Sequence, residues 1–267
     1  MQHNPRKRFG QNFLIDQYVI AQIIAEIQPQ KADRIIEIGP GLGALTRPLL
    51  KAVDHLNVVE IDRDIVEKLY QEFSPRQLTI HAADALKFDF SSTGNQLRVV
   101  GNLPYNISTP LLFHLSRFSE HIVDMHFMLQ KEVVERMVAV PSTPDYGRLS
   151  LMLQYRFEME YVLSVPAMAF RPVPKVESAI VRMNPRPKSQ LTVIDESLFT
   201  EMIAAAFSQR RKTLRNTLSR YLSTEDFGRL EIDSGLRAEN LPLERFIAIA
   251  NYLTGRQFER DDRRVSG

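Results

Sequence analysis

Short apolar runs alternate with segments of helical spacing over the first two thirds of the chain. The runs are typical of buried strands and occupy 34–38, 56–61, 78–82 and 97–100. After Asp16, a predicted N-cap, apolar residues recur instead every three or four positions, which predicts a helix. Strands that alternate with helices predict a parallel sheet covered by helices, so the expected fold class is α/β.

The pattern changes near Asn184. Before it, 121–129 predicts a strand, 131–139 and 147–155 predict helices, and 157–165 and 176–183 predict a hairpin-like pair of strands at the sheet end. The proline-rich stretch 184–188 predicts a linker. Beyond it the spacing is helical only, at 198–207, 212–222, 227–230 and 243–253. We therefore expect an α/β domain over 1–184 and a small all-helical domain over 185–267.

Composition excludes several classes of protein. The 267 residues include no cysteine, so a disulfide framework, a thiolate metal site and a cysteine nucleophile are excluded, and a reducing cytoplasm is expected. The six histidines show no metal-ligand spacing. No run approaches the roughly 18 apolar residues of a membrane helix, and no apolar segment follows the N-terminal cations as in a signal peptide. We expect no metal and no membrane partner.

The net charge is only +2, but it is unevenly distributed. Residues 182–220 hold eight Lys or Arg against three Asp or Glu. Such a run is either a solvated face or a contact surface for RNA phosphates. The candidate RNA-binding cations are Arg6, Lys7, Arg8, Arg210, Arg211, Lys212 and Arg215.

A glycine-rich turn follows the first predicted strand. Gly39-Pro-Gly-Leu-Gly43 leads into a predicted helix, and glycines there let the backbone approach a ligand closely. Glu60 lies 21 positions after Gly39 at a strand end, where a carboxylate can accept from both ribose hydroxyls. Asp84, after the next strand, could accept from a purine amine or cap a turn. The spacing also fits a dinucleotide site, so NAD remains open from these residues alone.

The stretch Asn102-Leu-Pro-Tyr105 follows the fourth predicted strand and precedes a helix. Its chemistry suits an aromatic amine. The Asn102 side-chain oxygen and the Leu103 carbonyl can accept from the two N–H bonds of adenine N6, which frees the nitrogen lone pair. Pro104 fixes the direction of that carbonyl, and Tyr105 offers a face for base stacking. A plain strand-to-helix turn is the alternative.

A second aromatic residue stands in the proline-rich loop 169–175. We expect Phe170 to be exposed at the ligand edge, where it could hold a flipped base against Tyr105. The alternative is that its ring packs into the core.

Five motifs occur together in order along the chain. They are Phe-Gly-Gln-Asn-Phe-Leu at 9–14, Glu-Ile-Gly-Pro-Gly-Leu-Gly-Ala-Leu-Thr at 37–46, Val-Glu-Ile-Asp at 59–62, Asn-Leu-Pro-Tyr-Asn-Ile-Ser-Thr at 102–109, and Phe-x-Pro-x-Pro-x-Val-x-Ser at 170–178. Over essentially its whole length the sequence resembles the bacterial small-subunit rRNA adenine N6-dimethyltransferases, the type associated with kasugamycin sensitivity.

This resemblance implies a Rossmann-like methyltransferase domain that uses S-adenosylmethionine rather than NAD, followed by a helical rRNA-binding domain. It implies dimethylation of two adjacent adenosines in a hairpin loop near the 3′ end of 16S rRNA, in an assembling small subunit and as a monomer. The implied cofactor contacts are Asn12, Leu14, Gly39, Glu60, Asp84 and Asn102. Asn102 is also the implied catalytic acceptor, within a catalytic set completed by Leu103, Pro104, Tyr105 and Phe170.

Three other interpretations remain. The related 23S rRNA adenine methylases of macrolide resistance share several motifs. An assembly factor could act mainly by binding the particle that matures into the small subunit. An NAD oxidoreductase would need hydride-transfer residues, which the sequence does not suggest.

Overall fold

The computed structural model describes the backbone of residues 12–265 and the side chains of residues 12–256. In chain order its strands and longer helices are β1 (Phe13–Leu14), α1 (Gln17–Ile27), β2 (Arg34–Ile38), α2 (Thr46–Ala52), β3 (Leu56–Glu60), α3 (Arg63–Glu72), β4 (Leu78–Ala82), β5 (Leu97–Asn102), α4 (Ser108–Ser116), β6 (Ile122–Gln130), α5 (Lys131–Val138), α6 (Arg148–Arg156), β7 (Phe157–Val165), β8 (Phe170–Arg171), β9 (Ser178–Pro185), α7 (Glu196–Ala206), α8 (Leu214–Thr217), α9 (Thr224–Arg229) and α10 (Leu243–Val265).

The described chain forms two compact units. Residues 12–135 and Phe157–Pro185 form the sheet unit, and Arg136–Arg156 and residues 186–265 form the helical unit. None of the helices in the described part of the chain is both long and apolar enough to cross a membrane.

The sheet unit is built on a seven-stranded sheet. Its strand order is β4-β3-β2-β5-β6-β9-β7. The first five strands of that order are parallel, and β9 and β7 add an antiparallel end, as the sequence pattern predicts. Central strands are almost fully buried because helices cover both faces. The carboxyl ends of the parallel strands therefore meet at one edge, the usual place for ligands in such sheets.

Side-chain caps explain where α1 and α3 begin. Asp16 accepts from the backbone N–H groups of Tyr18 and Val19, which places the start of α1 where the sequence predicts it. Asp62 accepts from the N–H of Asp64 at the start of α3. Each cap satisfies a donor that the first helical turn leaves without a partner.

The helical unit includes a segment that the predicted domain boundary excludes. The predicted boundary at 184 puts 136–156 in the first domain, whereas in the structure this segment belongs to the helical unit. Tyr155 packs against Phe199, with ring centroids 5.1 Å apart, and the Tyr155 hydroxyl accepts from the Val193 N–H. Tyr146 and Leu151 are buried in the same core. The predicted linker at 184–188 does coincide with a boundary between the units.

The predicted helix over 212–222 is wrong in length. Only Leu214–Thr217 is helical, because Thr213 is extended and forms a bridge with Arg237. The next two N–H groups also donate to the segment around Ser234. Leu218 is still buried after the helix ends, so the apolar spacing is met without a continuous helix.

Candidate active site

A cavity of about 250 Å³ lies at the carboxyl ends of the parallel strands. Its wall contains all the residues that the resemblance implies as cofactor contacts: Asn12, Leu14, Gly39, Glu60, Asp84 and Asn102. It also contains Leu103, Pro104 and Tyr105. The topology explains this, since β2, β3, β4 and β5 end together and β1 adds a further wall.

The glycine turn after β2 requires glycine. Gly39 and Gly41 have φ values of +66° and +53°, in the left-handed region where other residues are strained. A Cβ on Gly41 would also lie 3.1 Å from Cδ1 of Phe13. The Gly39 N–H donates to the Val59 carbonyl at 2.9 Å, which joins the turn to β3. Bare backbone can therefore approach a ligand in the cavity closely.

Glu60 ends β3 as a buried carboxylate with a fixed orientation. It is 7% exposed, and its Oε1 accepts from the N–H groups of Ile61 and Asp62, each at 2.8 Å. Burial raises the pKa of Glu60, and the backbone hydrogen bonds act against that rise. A carboxylate has about four acceptor positions, so these bonds orient it and leave capacity for ligand hydroxyls.

Glu37 is a cavity residue that the sequence analysis did not single out. It is 2% exposed, and its Oε2 accepts from the Thr46 hydroxyl at 2.6 Å. Burial raises the pKa of Glu37 to about 7, despite the hydrogen bond from Thr46. The sequence does contain a sign that Glu37 is functional, because this carboxylate interrupts the apolar run of β2. An acid buried in such a strand is uncommon unless it has a specific role.

The stretch Asn102–Tyr105, which we name the acceptor loop, leaves β5 with a defined geometry. The Asn102 Nδ2 donates to the Asn12 carbonyl at 2.9 Å, and this bond distinguishes the amide nitrogen from the oxygen. The Leu103 N–H donates to the Met128 carbonyl at 3.1 Å, and its side chain is buried. The preceding residue must be glycine, because a Cβ on Gly101 would lie 2.5 Å from the Ile38 carbonyl oxygen.

Tyr105 is half-buried, and its hydroxyl group is held by Ser178. The two oxygens are 2.7 Å apart. Burial raises the pKa of the Tyr105 phenol, and the hydrogen bond with Ser178 opposes this. The bond connects the acceptor loop to the start of β9 and orients the ring that forms part of the cavity wall.

The expectation that Phe170 is exposed is wrong. Its side chain is 0% exposed and packs in the core with Leu14, its partner in the two-stranded sheet of β1 and β8. Alternation along β8 turns Phe170 inward and Arg171 outward. The ring therefore has no open face for stacking a base.

The predicted RNA-binding cations of the helical unit have different surroundings. Arg210 pairs with Glu239 at 3.1 Å and donates to the Pro144 carbonyl. Arg211, Lys212 and Arg215 are exposed, and within the described residues no salt bridge to them is found. Arg6, Lys7 and Arg8 lie outside the described residues.

The fold is that of the Rossmann-like methyltransferases. Two solved structures share this fold. A dimethyladenosine transferase from Plasmodium falciparum is 24% identical, with a TM-score of 0.76 over 89% of this chain and 95% of that one. The 23S rRNA methyltransferase ErmE is 25% identical, with a TM-score of 0.70 over 91% of this chain and 100% of that one.

The family follows from the sequence comparisons. The family model for ribosomal RNA adenine dimethylase matches residues 2–255, so the chain belongs to that family and is an rRNA adenine methyltransferase. Two similar relatives are both named ribosomal RNA small subunit methyltransferase A. That of Nitrosomonas europaea is 66% identical over 93% of this chain and 96% of its own, and that of Nitrosospira multiformis is 64% identical over 94% and 97%. The resemblance inferred from the motifs is confirmed.

Proposed function

We propose that this enzyme binds S-adenosylmethionine in the cavity and dimethylates N6 of two adjacent adenosines near the 3′ end of 16S rRNA, in a small subunit that is completing assembly. The observation that carries the proposal is the geometry of the acceptor loop. Its Asn102 amide is oriented by the Asn12 carbonyl, at the mouth of a cavity whose other walls suit a nucleoside.

The cavity fits the proposed cofactor on three structural grounds. The turn at Gly39 and Gly41 presents bare backbone to the cavity, at positions where positive φ favours glycine. Glu60 presents an oriented carboxylate to ribose hydroxyls, and Asp84 can accept from the adenine amine. Apolar residues such as Leu14 and Ile61 complete the wall.

The bound cofactor would supply a methyl group on a positively charged sulfur. The protein's part is to hold the adenine N6 in line with that group, which lowers the entropic cost of the reaction. The Asn102 Oδ1 and the Leu103 carbonyl accept from the two N–H bonds of N6. The cofactor, held by residues such as Gly39 and Glu60, would supply its methyl group by exchanging the sulfur–carbon bond for a bond to N6, and one N6 proton would leave to solvent. No general base is required.

The choice of 16S over 23S rRNA rests on the relatives. Two relatives named for the small subunit cover nearly the whole chain at 64% and 66% identity, whereas the large-subunit enzyme ErmE is 25% identical. Activity on an assembling subunit would place the enzyme in the cytoplasm, and a single cavity within one chain is sufficient for a monomer.

We assign RNA-backbone binding to the helical unit, through Arg211, Lys212 and Arg215. These three cations are exposed near the start of α8. Arg210 is a weaker candidate because it already pairs with Glu239. Arg6, Lys7 and Arg8 remain candidates from sequence.

The deciding experiment maps modified bases in rRNA. Primer extension is expected to stop at two adjacent adenosines near the 3′ end of 16S rRNA from the parent strain. These stops should be missing in a strain that lacks the gene and should return on complementation. Stops in 23S rRNA instead would favour the large-subunit assignment.

The cofactor assignment has its own test. Replacing Glu60 by Ala should weaken S-adenosylmethionine binding by at most a few kcal/mol in calorimetry, with the fold retained by circular dichroism. Unchanged affinity would remove Glu60 from the ribose contact. Binding of NAD rather than S-adenosylmethionine by the parent protein would contradict the cofactor assignment itself.

A further inference from the structure

Next to the cavity the sheet unit exposes a strip that combines cationic, apolar and aromatic side chains. We name it the entrance strip and define it by its residues: Tyr18, Met168, Arg171, Val173, Lys175 and Val176. Met168 is 84% exposed, Tyr18 is 73% exposed and Val173 is 61% exposed. Apolar exposure on this scale, in consecutive parts of one surface, is a feature of interaction sites.

Backbone hydrogen bonds bring the parts of this strip together. The N–H groups of Ile15 and Asp16 both donate to the Ala169 carbonyl, at 2.8 and 3.3 Å. This fixes the start of α1, which carries Tyr18, beside the turn that carries Met168. In the adjoining two-stranded sheet, Phe13 is paired with Arg171.

The strip continues directly to the acceptor loop. Residues 171–177 are exposed apart from half-buried Pro174, and they end at Ser178, whose hydroxyl group lies 2.7 Å from that of Tyr105. On the other side, the cavity residues Asn12 and Leu14 immediately precede Ile15. The strip therefore adjoins both the acceptor loop and the cavity wall.

The charges of the strip suit an anionic polymer. Arg171 and Lys175 are exposed, and no salt bridge to either is found within the described residues. Glu177, the acid that follows the strip, pairs with Lys131 at 2.9 Å, and Glu132 and Glu135 lie near that pair. The strip itself contains two cations and no acid. Cations interleaved with aromatic and apolar faces are the combination that binds single-stranded nucleic acid, through phosphates and unstacked bases.

We infer that the entrance strip binds the single-stranded RNA that flanks the target adenosine, with Arg171 and Lys175 at phosphates and Tyr18 stacked on a neighbouring base. This inference rests on the proposed function, because the polymer is the rRNA substrate. It adds a second RNA contact, formed by the sheet unit itself. Positioning the strand there would hold the target adenosine at the acceptor loop.

The first test compares two double variants of equal charge change. Arg171→Ala with Lys175→Ala should raise KM for undermethylated small subunits about tenfold and leave kcat unchanged. The slope of log affinity against log salt should fall by about 1.4, since each single-strand phosphate contact contributes roughly 0.7. The control is Lys51→Ala with Arg76→Ala, exposed cations that precede β3 and β4 at the opposite edge of the sheet. Equal slopes in the two double variants would overturn the inference.

The aromatic contact has its own matched pair. Tyr18→Ala should weaken subunit binding about tenfold, in line with the loss of one stacked base. Tyr70→Ala removes a tyrosine of similar exposure, 58%, from α3 and should have no effect. An equal response of the two variants would remove Tyr18 from the strip.

A cross-linking experiment identifies the partner directly. The chain contains no cysteine, so Val173→Cys introduces one unique thiol for a photoreactive label. The label should react with nucleotides within a few positions of the target adenosines, and a label placed through Tyr70→Cys should not. Reaction with a ribosomal protein instead would overturn the inference. Failure of the proposed function is distinguishable, because the unlabelled parent would then leave no primer-extension stops in 16S rRNA.

Discussion

The pKa values of buried carboxylates are shifted in opposite directions in the two units. In the sheet unit, burial raises the pKa of Glu37 and Glu60, and few donors oppose it. In the helical unit, burial would also raise the pKa of Asp226, but hydrogen bonds from Tyr252, Ser223 and Arg256 outweigh burial and hold that pKa well below its usual range.

The kind of donor explains the contrast, because Glu60 accepts from backbone N–H groups whereas Asp226 also accepts from the cationic Arg256. Both Asp226 oxygens accept: one from the Tyr252 hydroxyl at 2.6 Å, the other from the Ser223 N–H at 2.8 Å and from Arg256 at 2.5 Å. The acids in the cavity keep acceptor capacity that the protein does not use. Polar groups at the site therefore cost stability and serve a ligand, whereas the network around Asp226 stabilises the helical unit.

The largest effect is expected at the acceptor loop. Asn102→Ala removes one of the two acceptors on the adenine amine, and the chemical step should slow by about 2–4 kcal/mol, the range for deleting one preorganised hydrogen-bond partner. Single-turnover methylation at saturating cofactor and small subunit measures this. Asn184→Ala, an exposed asparagine of β9 that does not line the cavity, is the control. A rate within about twofold of the parent would disprove the acceptor role.

Glu37→Gln tests whether a cavity acid lowers stability. The folded-state pKa of Glu37, about 7, lies above its unfolded value of 4.5, so the proton is bound more tightly in the folded state. The parent should thus lose stability as the pH rises from 4.5 through 7. At pH 8 the variant should be more stable by roughly 3 kcal/mol, and near pH 4.5 the difference should nearly vanish. Urea unfolding across this range, with exposed Glu67→Gln as control, provides the measurement.

Asp226→Asn should show the reverse pH dependence. It weakens a charged hydrogen-bond network, so the free energy of unfolding should fall by about 2 kcal/mol at pH 7. Because the folded pKa is depressed, this contribution is fully present above the unfolded pKa of 3.8 and is lost progressively as the pH falls from there through the lower folded pKa. Urea unfolding at pH 7 and at pH 3 compares the two conditions. A difference that grows on acidification would contradict the assignment.

The smallest effect on stability is expected at the exposed cations of the helical unit. Arg211→Ala with Arg215→Ala should leave the midpoint of thermal unfolding nearly unchanged and flatten the salt dependence of subunit binding. Filter binding over a range of salt concentrations measures the slope. An unchanged slope would show that Arg211 and Arg215 do not contact RNA phosphates and belong to an ordinary solvated surface.

Apolar periodicity predicted most of the fold because burial leaves a direct trace in the sequence. The parallel strands and the antiparallel pair β7 and β9 were predictable on that basis, and Asp16 was predictable as a cap from its residue type. The assignment of 136–156 to the helical unit was not predictable. A buried residue such as Tyr155 gives the same apolar periodicity whether it packs in the core of the sheet unit or in that of the helical unit. The length of α8 was not predictable either, since Leu214 and Leu218 are buried with or without a continuous helix.

At the site, the order of strands along the chain predicted which residues lie together better than it predicted the directions of their side chains. Residues at the ends of parallel strands must converge, so Gly39, Glu60 and Asn102 could be placed together from sequence. The direction of Phe170 depends on the register of β8 against β1, a pairing of residues far apart in the chain. The hydrogen bond between Tyr105 and Ser178 was not predictable for the same reason, because 73 positions separate the two residues.

The discontinuity of the helical unit bears on how the chain is synthesised and dissected. Its first part, 136–156, leaves the ribosome before β7 and β9, and most of its packing partners follow Pro185. During synthesis the apolar face of 136–156 is therefore exposed to solvent until the residues after Pro185 have been made. A fragment that ends at the linker still contains 136–156 and exposes the same apolar face. Isolating the sheet unit therefore requires an internal deletion of 136–156 as well as removal of the residues after Pro185.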